Sequence, residues 1–408
     1  MLKLISSISI TSVSDFFQIF ISCMMRREML QGKAIDKFEK NFAKYIGTKH
    51  AIVVSSARYA MQLILKSLNL KKGSEIIMSS YTFDGLIPLI REIGLTPIFV
   101  DIEVESFNLD ASEIERKITK KTKVILATHL FGLPCNMKKV MKISRNHNLL
   151  ILEDCSHSIG AEYSGKKVGL FGKAAFFSLG VTKQINTFGG GIVTTNDDEL
   201  AKQIRKLANK NKFAAVNLFS KVLLNYAGYI VLNSFLNHLA LRLLITNFFH
   251  EFVKKSFRGG YGVKGRQNFK YTSFQAAIGE SQLRMVNKKN IDRIEKATLY
   301  KKLLGKIPKI HLPNIREVKN GTSHIYQDFV IRVGDNAAEI CKFLLKNNIY
   351  AVIGNDVMQS CVENAPEKFP NTKKVIETAV RLPFDDNIGE KEIRYVASKI
   401  NEYAQAGN

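Results

Sequence analysis

Lys183 lies in the stretch FFSLGVTKQINTFGGG, in which it is the only charged residue and three glycines end the segment. An ordinary loop lysine is solvated and protonated, whereas a nucleophilic lysine must be partly neutral. Desolvation favours the neutral amine, and a neighbourhood without charged residues provides a desolvated environment. The stretch leaves two interpretations open: a solvated loop lysine and a reactive amine.

Asp154 ends the apolar run LLILEDCS, which is typical of a buried strand. One interpretation is that Asp154 caps a helix, because Ser156 and Ser158 follow in a turn-like setting. The other is that its carboxylate faces a cationic ring nitrogen. In pyridoxal phosphate (PLP) chemistry such an aspartate keeps the pyridine nitrogen protonated, and Lys183 would form an imine with the cofactor aldehyde.

Two other segments predict a place for a phosphate. Ser178 precedes Lys183 by five residues and carries a hydroxyl that can hydrogen-bond an anion. The turn SSAR at 55–58 ends a predicted strand and begins a helix. The free N–H groups at Ala57 and Arg58 would form an anion site that the helix dipole reinforces.

From Gly32 onward, apolar runs of strand length alternate with segments of helical periodicity. This pattern predicts an α/β fold with a mostly parallel sheet between two helical layers, and ligands in such sheets bind at the carboxyl ends of the strands. Those ends are 55–58, 154–157 and 178–183. A long helix is predicted from Thr272, joining a smaller C-terminal α/β domain.

The predicted division has five parts: an N-terminal segment 1–31, a large domain 32–212, a helical insertion 213–257, a return to the site with the start of the linking helix 258–290, and a small C-terminal domain 291–408.

Composition limits the possible partners. The 408 residues carry 60 Lys and Arg against 36 Asp and Glu, a net charge of +24, which favours a polyanionic partner such as a phosphorylated substrate or anionic lipid. The sequence shows no nucleic-acid-binding motif, so nucleic acid is not predicted. The five cysteines show no paired short spacing, which indicates neither a metal site nor a disulfide framework and favours a reducing cytosol.

Two apolar segments raise the question of a membrane. Segment 1–31 is broken by serines and an aspartate, and we expect an amphipathic or buried helix rather than a signal peptide. Twenty residues without formal charge lie between Lys221 and Arg242, but asparagines and a histidine interrupt them. Region 213–257 is therefore either a membrane-surface element with basic flanks or a pair of packed helices.

The chain resembles the DegT/StrS sugar aminotransferases, PLP enzymes of fold type I, from about Gly32 to Tyr403. The stretches that carry the resemblance are GKAIDKFEKNFAKYIGTKHAIVVSS, SSYTFDGLIPLIREIGLTPIFVDIEVESFNLD, THLFGLPCNM, LEDCSHSIGAEYSGKKVGLFGKAAFFSLGVTK and GGGIVTTND. The resemblance implies a large PLP-binding domain and a small C-terminal domain.

Site residues follow from the resemblance position by position. Lys183 matches the lysine that forms the Schiff base, Asp154 the partner of the pyridine nitrogen, and Ser178 a phosphate ligand. Phe83 matches the aromatic residue that stacks on the cofactor ring. Asn268 matches an asparagine that a neighbouring subunit sends to the phosphate, which implies a homodimer with a shared active site.

Several positions depart from the family pattern. Ala57 and Arg58 replace the usual Gly-Thr turn, and the Arg58 guanidinium is expected to take over as a phosphate donor. His157 stands where a glutamine beside the cofactor's phenolic oxygen is common, and a structural histidine is the alternative. Lys270 replaces an arginine, and NIYAVIGND lacks the family's histidine-tyrosine pair near the substrate.

The resemblance implies a cytoplasmic transaminase that moves an amino group, expected from glutamate, to a nucleotide-linked keto-sugar for envelope or O-antigen polysaccharide synthesis. Region 213–257 would add peripheral contact with the inner face of the membrane. The alternatives are a PLP-dependent sugar dehydratase, in which histidine replaces the lysine, another fold type I PLP enzyme, and a non-catalytic membrane-surface or regulatory protein.

Overall fold

The computed structural model describes residues 29–212, 269–313, 321–334, 337–354 and 366–406, together with Phe20 and Val222. Most of the predicted N-terminal segment 1–31 lies outside the described residues. The predicted helical insertion at 213–257, apart from Val222, and Asn268 also lie outside them.

A seven-stranded sheet forms the centre of the large domain. The strands of this domain are β1 (His50–Val54), β2 (Glu75–Ser79), β3 (Thr96–Val100), β4 (Thr122–Thr128), β5 (Leu150–Asp154), β6 (Glu162–Tyr163), β7 (Lys166–Lys167), β8 (Ala174–Ser178) and β9 (Gly191–Thr195). The sheet order is β1-β9-β8-β5-β4-β2-β3, and β6 pairs with β7 in a separate hairpin. Only β9 runs antiparallel to its neighbours in the sheet, so the predicted mostly parallel sheet is confirmed.

Helices cover both faces of this sheet. They are α1 (Lys33–Ile46), α2 (Ala57–Ser67), α3 (Ile87–Glu92), α4 (Met137–Asn146), α5 (Asp198–Ala208) and α6 (Ser273–Leu283). The strands alternate their buried side chains between the two faces: Ala174 and Phe176 of β8 pack in the core that contains α2, while Ala175 and Phe177 pack in the core that contains α1. Successive side chains point to opposite faces, and both faces are covered, so nearly every residue of such a strand is buried. The strands therefore appear in the sequence as continuous apolar runs.

The helix predicted as one piece from Thr272 is two helices in the structure. α6 ends at Leu283, and α7 (Val286–Leu304) begins after Met285. Thr272 and Gln275 form a capping box at the start of α6. The two helices have different partners, because α6 packs against α1 whereas α7 packs against the C-terminal helix of the chain.

The smaller C-terminal unit has its own antiparallel sheet and core. Its elements after α7 are β10 (Ile310–His311), β11 (Phe329–Val333), α8 (Ala337–Lys346), β12 (Val352–Ile353), α9 (Pro370–Thr378), β13 (Ala379–Leu382) and α10 (Glu390–Ala406). The sheet order is β10-β11-β13-β12. Tyr300 of α7 stacks on Phe329 of β11, with ring centroids 4.9 Å apart, at the centre of the core.

The two segments that flank residues 213–268 lie side by side. Lys212 and Phe269 form a bridge, and the Lys270 N–H donates to the Lys212 carbonyl at 2.9 Å. The chain therefore leaves and re-enters the described fold at one place. Among the helices of the described residues, none combines the length and the apolar character that crossing a bilayer requires.

Gly191 positions the turn between β1 and α2. A Cβ at residue 191 would lie 2.5 Å from the Ala57 nitrogen and from the Ser56 carbonyl carbon. Both neighbours are backbone atoms, so they cannot move aside as a side chain would. The close approach of β9 to the 55–58 turn thus requires glycine.

We expect Gly191→Ala to lower the free energy of unfolding by about 2 kcal/mol or more, because the methyl group overpacks rigid backbone. Denaturant unfolding followed by circular dichroism measures the change. Gly180→Ala is the matched control, since its nearest contact would be an ordinary 3.5 Å from the Ser178 hydroxyl. Equal stability of the two variants would contradict the argument.

Candidate active site

A cavity of about 380 Å³ opens at the carboxyl ends of the central strands. All three segments predicted from the strand ends, 55–58, 154–157 and 178–183, contribute to its wall. The predicted site residues in the wall are Ala57, Arg58, Phe83, Asp154, His157, Ser178 and Lys183. The structure brings these residues together, whereas Asn268 lies outside the described residues.

The loop that carries Lys183 is held by amide side chains. Gln184 accepts from the Ile159 N–H at 2.9 Å and donates to the Ile159 carbonyl and to Asn290. Gln282 of α6 exchanges two hydrogen bonds with the backbone of Asn186, at 2.9 and 2.7 Å. These bonds fix the backbone on the C-terminal side of Lys183.

Burial lowers the pKa of Lys183 to about 8. The nearby carboxylates of Asp328 and Asp154 act in the opposite direction and raise it, while the Arg381 guanidinium lowers it further. The sequence surroundings predict a lysine without charged neighbours, and this expectation is wrong in three dimensions. Asp328 and Arg381 come from the small domain, far from Lys183 in sequence.

Asp154 is the last residue of β5 and is 6% exposed. Burial raises the pKa of its carboxyl, and the hydrogen bonds from Ser156, together with the charge of Lys183, oppose this effect. The Ser156 N–H donates to its Oδ1 at 3.0 Å. No helix begins here, because the chain turns toward β6, so the interpretation of Asp154 as a helix cap is wrong.

His157 is held as a neutral imidazole. Burial, together with the positive charge of Lys183, lowers its pKa to about 3. The Phe131 N–H donates to its Nδ1 at 3.3 Å, so the ring hydrogen lies on Nε2. The residue both supports the 130–132 turn and presents a hydrogen-bond donor, and the two interpretations offered by the sequence are compatible.

The anion-binding end of the cavity is built around the start of α2. Ser56 caps the helix by accepting from the Tyr59 N–H at 3.2 Å, which leaves the N–H groups of Ala57 and Arg58 at the helix end. Ser178 is paired in register with Gly191, the position at which a Cβ would lie 2.5 Å from the Ala57 nitrogen. The Arg58 guanidinium lies over the Phe83 ring, 5.5 Å from its centroid.

The opposite end offers a carboxylate and a hydroxyl. Thr128, the last residue of β4, is in register with Asp154 on β5. Its hydroxyl is buried and has no hydrogen-bond partner among the residues that the structure describes. Such a group is costly unless a polar ligand satisfies it. The cavity thus combines helix N-terminal N–H groups suited to a phosphate, an aromatic side chain, an amine of lowered pKa and a buried carboxylate, which together fit PLP.

The sequence did not predict the residues that hold the carboxyl end of β5 in place. Both oxygens of the Glu153 side chain accept backbone N–H groups, from Gly169, Phe171 and Gly172, each at 2.7 Å. His129 contacts the same carboxylate at 3.2 Å and accepts from the Cys135 N–H at 3.1 Å. A charged residue inside an apolar strand next to Asp154 was the available signal.

Glu153, His129 and Cys155 form a cluster whose donor atoms lie within 4.8 Å of one another. The three residue types can ligate a metal. However, the hydrogen bonds just described already occupy both carboxylate oxygens and the Nδ1 of the histidine. We interpret the cluster as structural support for the strand end.

Comparison with known proteins agrees with this geometry. Residues 12–401 match the model of the DegT/DnrJ/EryC1/StrS aminotransferase family. A dTDP-3-amino-3,6-dideoxy-alpha-D-galactopyranose transaminase from Aneurinibacillus thermoaerophilus is 30% identical over 377 residues, which are 91% of this chain and 90% of that protein. A GDP-perosamine synthase from Escherichia coli O157:H7 is 28% identical, with 91% of each chain covered.

The fold matches solved structures at lower identity. The NtdA protein from Bacillus subtilis, described with bound cofactor PMP, superposes with a TM-score of 0.76 at 21% identity, covering 97% of this chain and 83% of that chain. This likeness extends across both domains and supports the fold independently of the sequence motifs.

We expect Glu153→Gln to lower the free energy of unfolding by about 3 kcal/mol, because the amide NH₂ cannot accept the N–H groups that point at it. Thermal unfolding measures the loss. Glu115→Gln is the control, since the Glu115 side chain is 56% exposed and its substitution should change stability by less than about 0.5 kcal/mol. A small effect at both positions would show that Glu153 does not support the site.

Proposed function

The chain belongs to the DegT/DnrJ/EryC1/StrS aminotransferase family, and from this premise we propose that it is a PLP-dependent transaminase acting on a nucleotide-linked keto-sugar. The observation that carries the proposal is the cavity that contains both Lys183 and Asp154. The expected amino donor is glutamate, and the expected setting is the synthesis of envelope or O-antigen polysaccharide.

The proposal includes a role for each predicted site residue in holding the cofactor. The phosphate would bind to the Ala57 and Arg58 N–H groups, the Ser178 hydroxyl and the Arg58 guanidinium, which replaces the hydroxyl of the usual threonine. Phe83 would stack on the ring, and the carboxylate of Asp154 would hold a proton on the ring nitrogen. The Nε2 hydrogen of His157 would donate to the phenolic oxygen.

Bound PLP would supply an aldehyde that condenses with amines and a ring that accepts the electron pair left when the α-proton of the donor is removed. Lys183 carries out the proton movement. Its neutral amine would take the proton from the donor's α-carbon, and the resulting ammonium would give that proton to the carbon atom of the cofactor that had carried the aldehyde oxygen. The lowered pKa of Lys183 keeps both forms accessible near neutral pH. In the second half of the reaction, the same residue acts in reverse with the keto-sugar.

The substrate class rests on the relatives and on charge. Curated relatives are named as acting on dTDP- and GDP-linked sugars. A chain with a net charge of +24 suits a substrate that carries a diphosphate. The sugar dehydratase alternative is disfavoured by Lys183, because that branch has histidine at this position.

Assembly and localisation are further parts of the proposal. We assign Asn268 to the cofactor phosphate of a second copy, so that a cytoplasmic homodimer would share two active sites. The basic, apolar sequence 213–257 is proposed to contact the membrane surface. Because Lys212 and Phe269 form a bridge, the chain leaves and re-enters the fold at one point, which is compatible with contact with one face of a membrane.

The purified protein, supplied with PLP and glutamate, is expected to aminate at least one member of a panel of 3-keto and 4-keto sugars linked to dTDP, GDP or UDP. Mass spectrometry of the products identifies the sugar and the position of the new amine. Keto acids serve as competing acceptors, which tests for another type of PLP enzyme. Lys183→Ala should lose the visible absorbance of the lysine-bound cofactor, and absence of this absorbance in the wild type would overturn the proposal.

The uptake of PLP by the cofactor-free protein should accelerate with pH and level off near pH 8. Only the neutral amine of Lys183 attacks the aldehyde, so the rate below that pH should fall about tenfold per unit. Borohydride trapping at set times, followed by mass spectrometry of the peptide that contains residue 183, gives the rate. A rate that continues to rise toward 10.5, the ordinary pKa of lysine, would show that burial does not activate this amine.

A further inference from the structure

The carboxylate of Asp154 has two in-register neighbours on the central sheet. Phe176 of β8 lies on one side, and Thr128 of β4 lies on the other. The strands are parallel, so the three side chains point to the same face of the sheet, and all three residues line the cavity. Of the two neighbours, Thr128 is the polar one. Its hydroxyl is therefore the group on an adjacent strand that can interact with Asp154.

This face of the sheet is distinct from the one that carries Glu153. Leu152, two residues before Asp154, packs in the core that contains α2, as does Leu126, two residues before Thr128. Glu153 lies one residue away, so its side chain points to the other face. The support that Glu153 gives to β5 thus comes from the opposite side of the sheet and does not involve Thr128.

The hydroxyl of Thr128 is buried without a hydrogen bond. The residue is 6% exposed, and its Oγ1 has no partner among the residues that the structure describes. The oxygen is itself buried, so it lies behind the surface of the cavity rather than on it. A buried hydroxyl without a partner costs free energy. An acceptor that comes within reach of Thr128 would therefore be bound favourably.

Asp154 has acceptor capacity for such a donor. Its hydrogen bonds come from the backbone and the side chain of Ser156. An ionised carboxylate offers about four lone-pair sites, so it can also accept from a ring N–H and from a hydroxyl. Burial raises the pKa of the Asp154 carboxyl. A hydroxyl that donates to the carboxylate acts against burial, because it stabilises the charged form.

Resting on the proposed function, we infer that Thr128 is a positioning residue, which donates a hydrogen bond to the Asp154 carboxylate when the cofactor is bound. The hydroxyl changes direction by rotation between staggered χ1 positions, and the carboxylate is its neighbour on the next strand. The bond fixes the direction of the carboxylate and keeps it ionised. The proton that Asp154 shares with the ring nitrogen then stays on the nitrogen, which is the form in which the ring accepts electrons.

Thr128→Val tests the inference, because it replaces the hydroxyl with a methyl group of similar size. The probe is pyridoxamine phosphate (PMP), which has no aldehyde and so binds the cofactor-free protein without reacting with Lys183. Calorimetry measures its affinity. We expect Thr128→Val to weaken PMP binding about tenfold, as when a hydrogen bond to a charged group is lost. Thr128→Ser keeps the hydroxyl and should bind PMP within about threefold of the wild type.

A spectroscopic measurement separates this role from a general effect on packing. Nuclear magnetic resonance of bound PMP, isotope-labelled at the ring nitrogen, reports whether that nitrogen is protonated. Without the Thr128 hydroxyl, the Asp154 carboxylate becomes more basic and draws the proton toward itself. The nitrogen signal of Thr128→Val should therefore move toward that of a neutral pyridine. The signal of Thr128→Ser should stay at the wild-type position.

Thr194→Val is the matched control. Thr194 of β9 is also fully buried with a hydroxyl that has no partner among the described residues, and it lies outside the cavity wall that those residues form. Its substitution should change neither PMP affinity nor the nitrogen signal. In the cofactor-free protein, Thr128→Val should unfold at no lower temperature than the wild type, because the hydroxyl makes no bond there. A clearly lower temperature would assign Thr128 a structural role and overturn the inference.

The Asp154→Asn background tests whether Thr128 acts through the carboxylate. There, adding Thr128→Val should change PMP affinity by less than about twofold, because the acceptor is gone. A tenfold loss in that background would mean that Thr128 contacts the ligand directly, and the inference would be wrong. It is also wrong if Thr128→Val alone leaves the affinity and the nitrogen signal unchanged, or if Thr128→Ser is as weak as Thr128→Val.

The outcome for the proposed function is read separately. If Thr128 affects PMP binding as expected but no keto-sugar is aminated, the inference stands and the proposed acceptor fails. If the wild type does not bind PMP, both the inference and the assignment of the cofactor fail. If keto-sugars are aminated and Thr128→Val matches the wild type in PMP binding and nitrogen signal, the inference alone fails.

Discussion

The site depends on keeping an amine and a carboxylate in one buried cavity without a large loss of stability. Burial favours the neutral form of both groups, and the mutual attraction of Lys183 and Asp154 opposes it. Asp328 and Arg381 add opposite charges nearby, so their effects on Lys183 partly cancel. The result is an amine whose pKa lies near neutral pH, which a proton-transfer residue requires.

The surrounding framework holds these groups in fixed positions. Glu153 ties β5 to the 169–172 turn through three backbone hydrogen bonds, which fixes the strand end that carries Asp154. Gln184 and Gln282 hold the loop on the other side of Lys183. Buried amide and carboxylate side chains hold the backbone firmly. A movement that broke their hydrogen bonds would leave buried polar groups without partners, which costs free energy.

The two domains meet at the reactive amine. Gln327 of the small domain bonds directly to Thr182, while Arg293 of α7 donates to the Gln327 carbonyl at 3.1 Å. The small domain and the loop that carries Lys183 are thus linked by hydrogen bonds across the domain boundary. This arrangement gives the small domain an electrostatic influence on a residue of the large domain.

The sequence by itself determined the strands and helices of the large domain, because buried parallel strands and amphipathic helices have distinct periodicities. It also predicted that Lys183, Asp154, Ser178 and the 55–58 turn meet at the strand ends, and the cavity there is lined by all of them. It did not reveal the break between α6 and α7 or the charged neighbours of Lys183. Those depend on contacts between residues far apart in the chain: Asp328 and Arg381 are brought to Lys183 only by the packing of the small sheet, and electrostatic effects follow distance in space rather than separation in sequence.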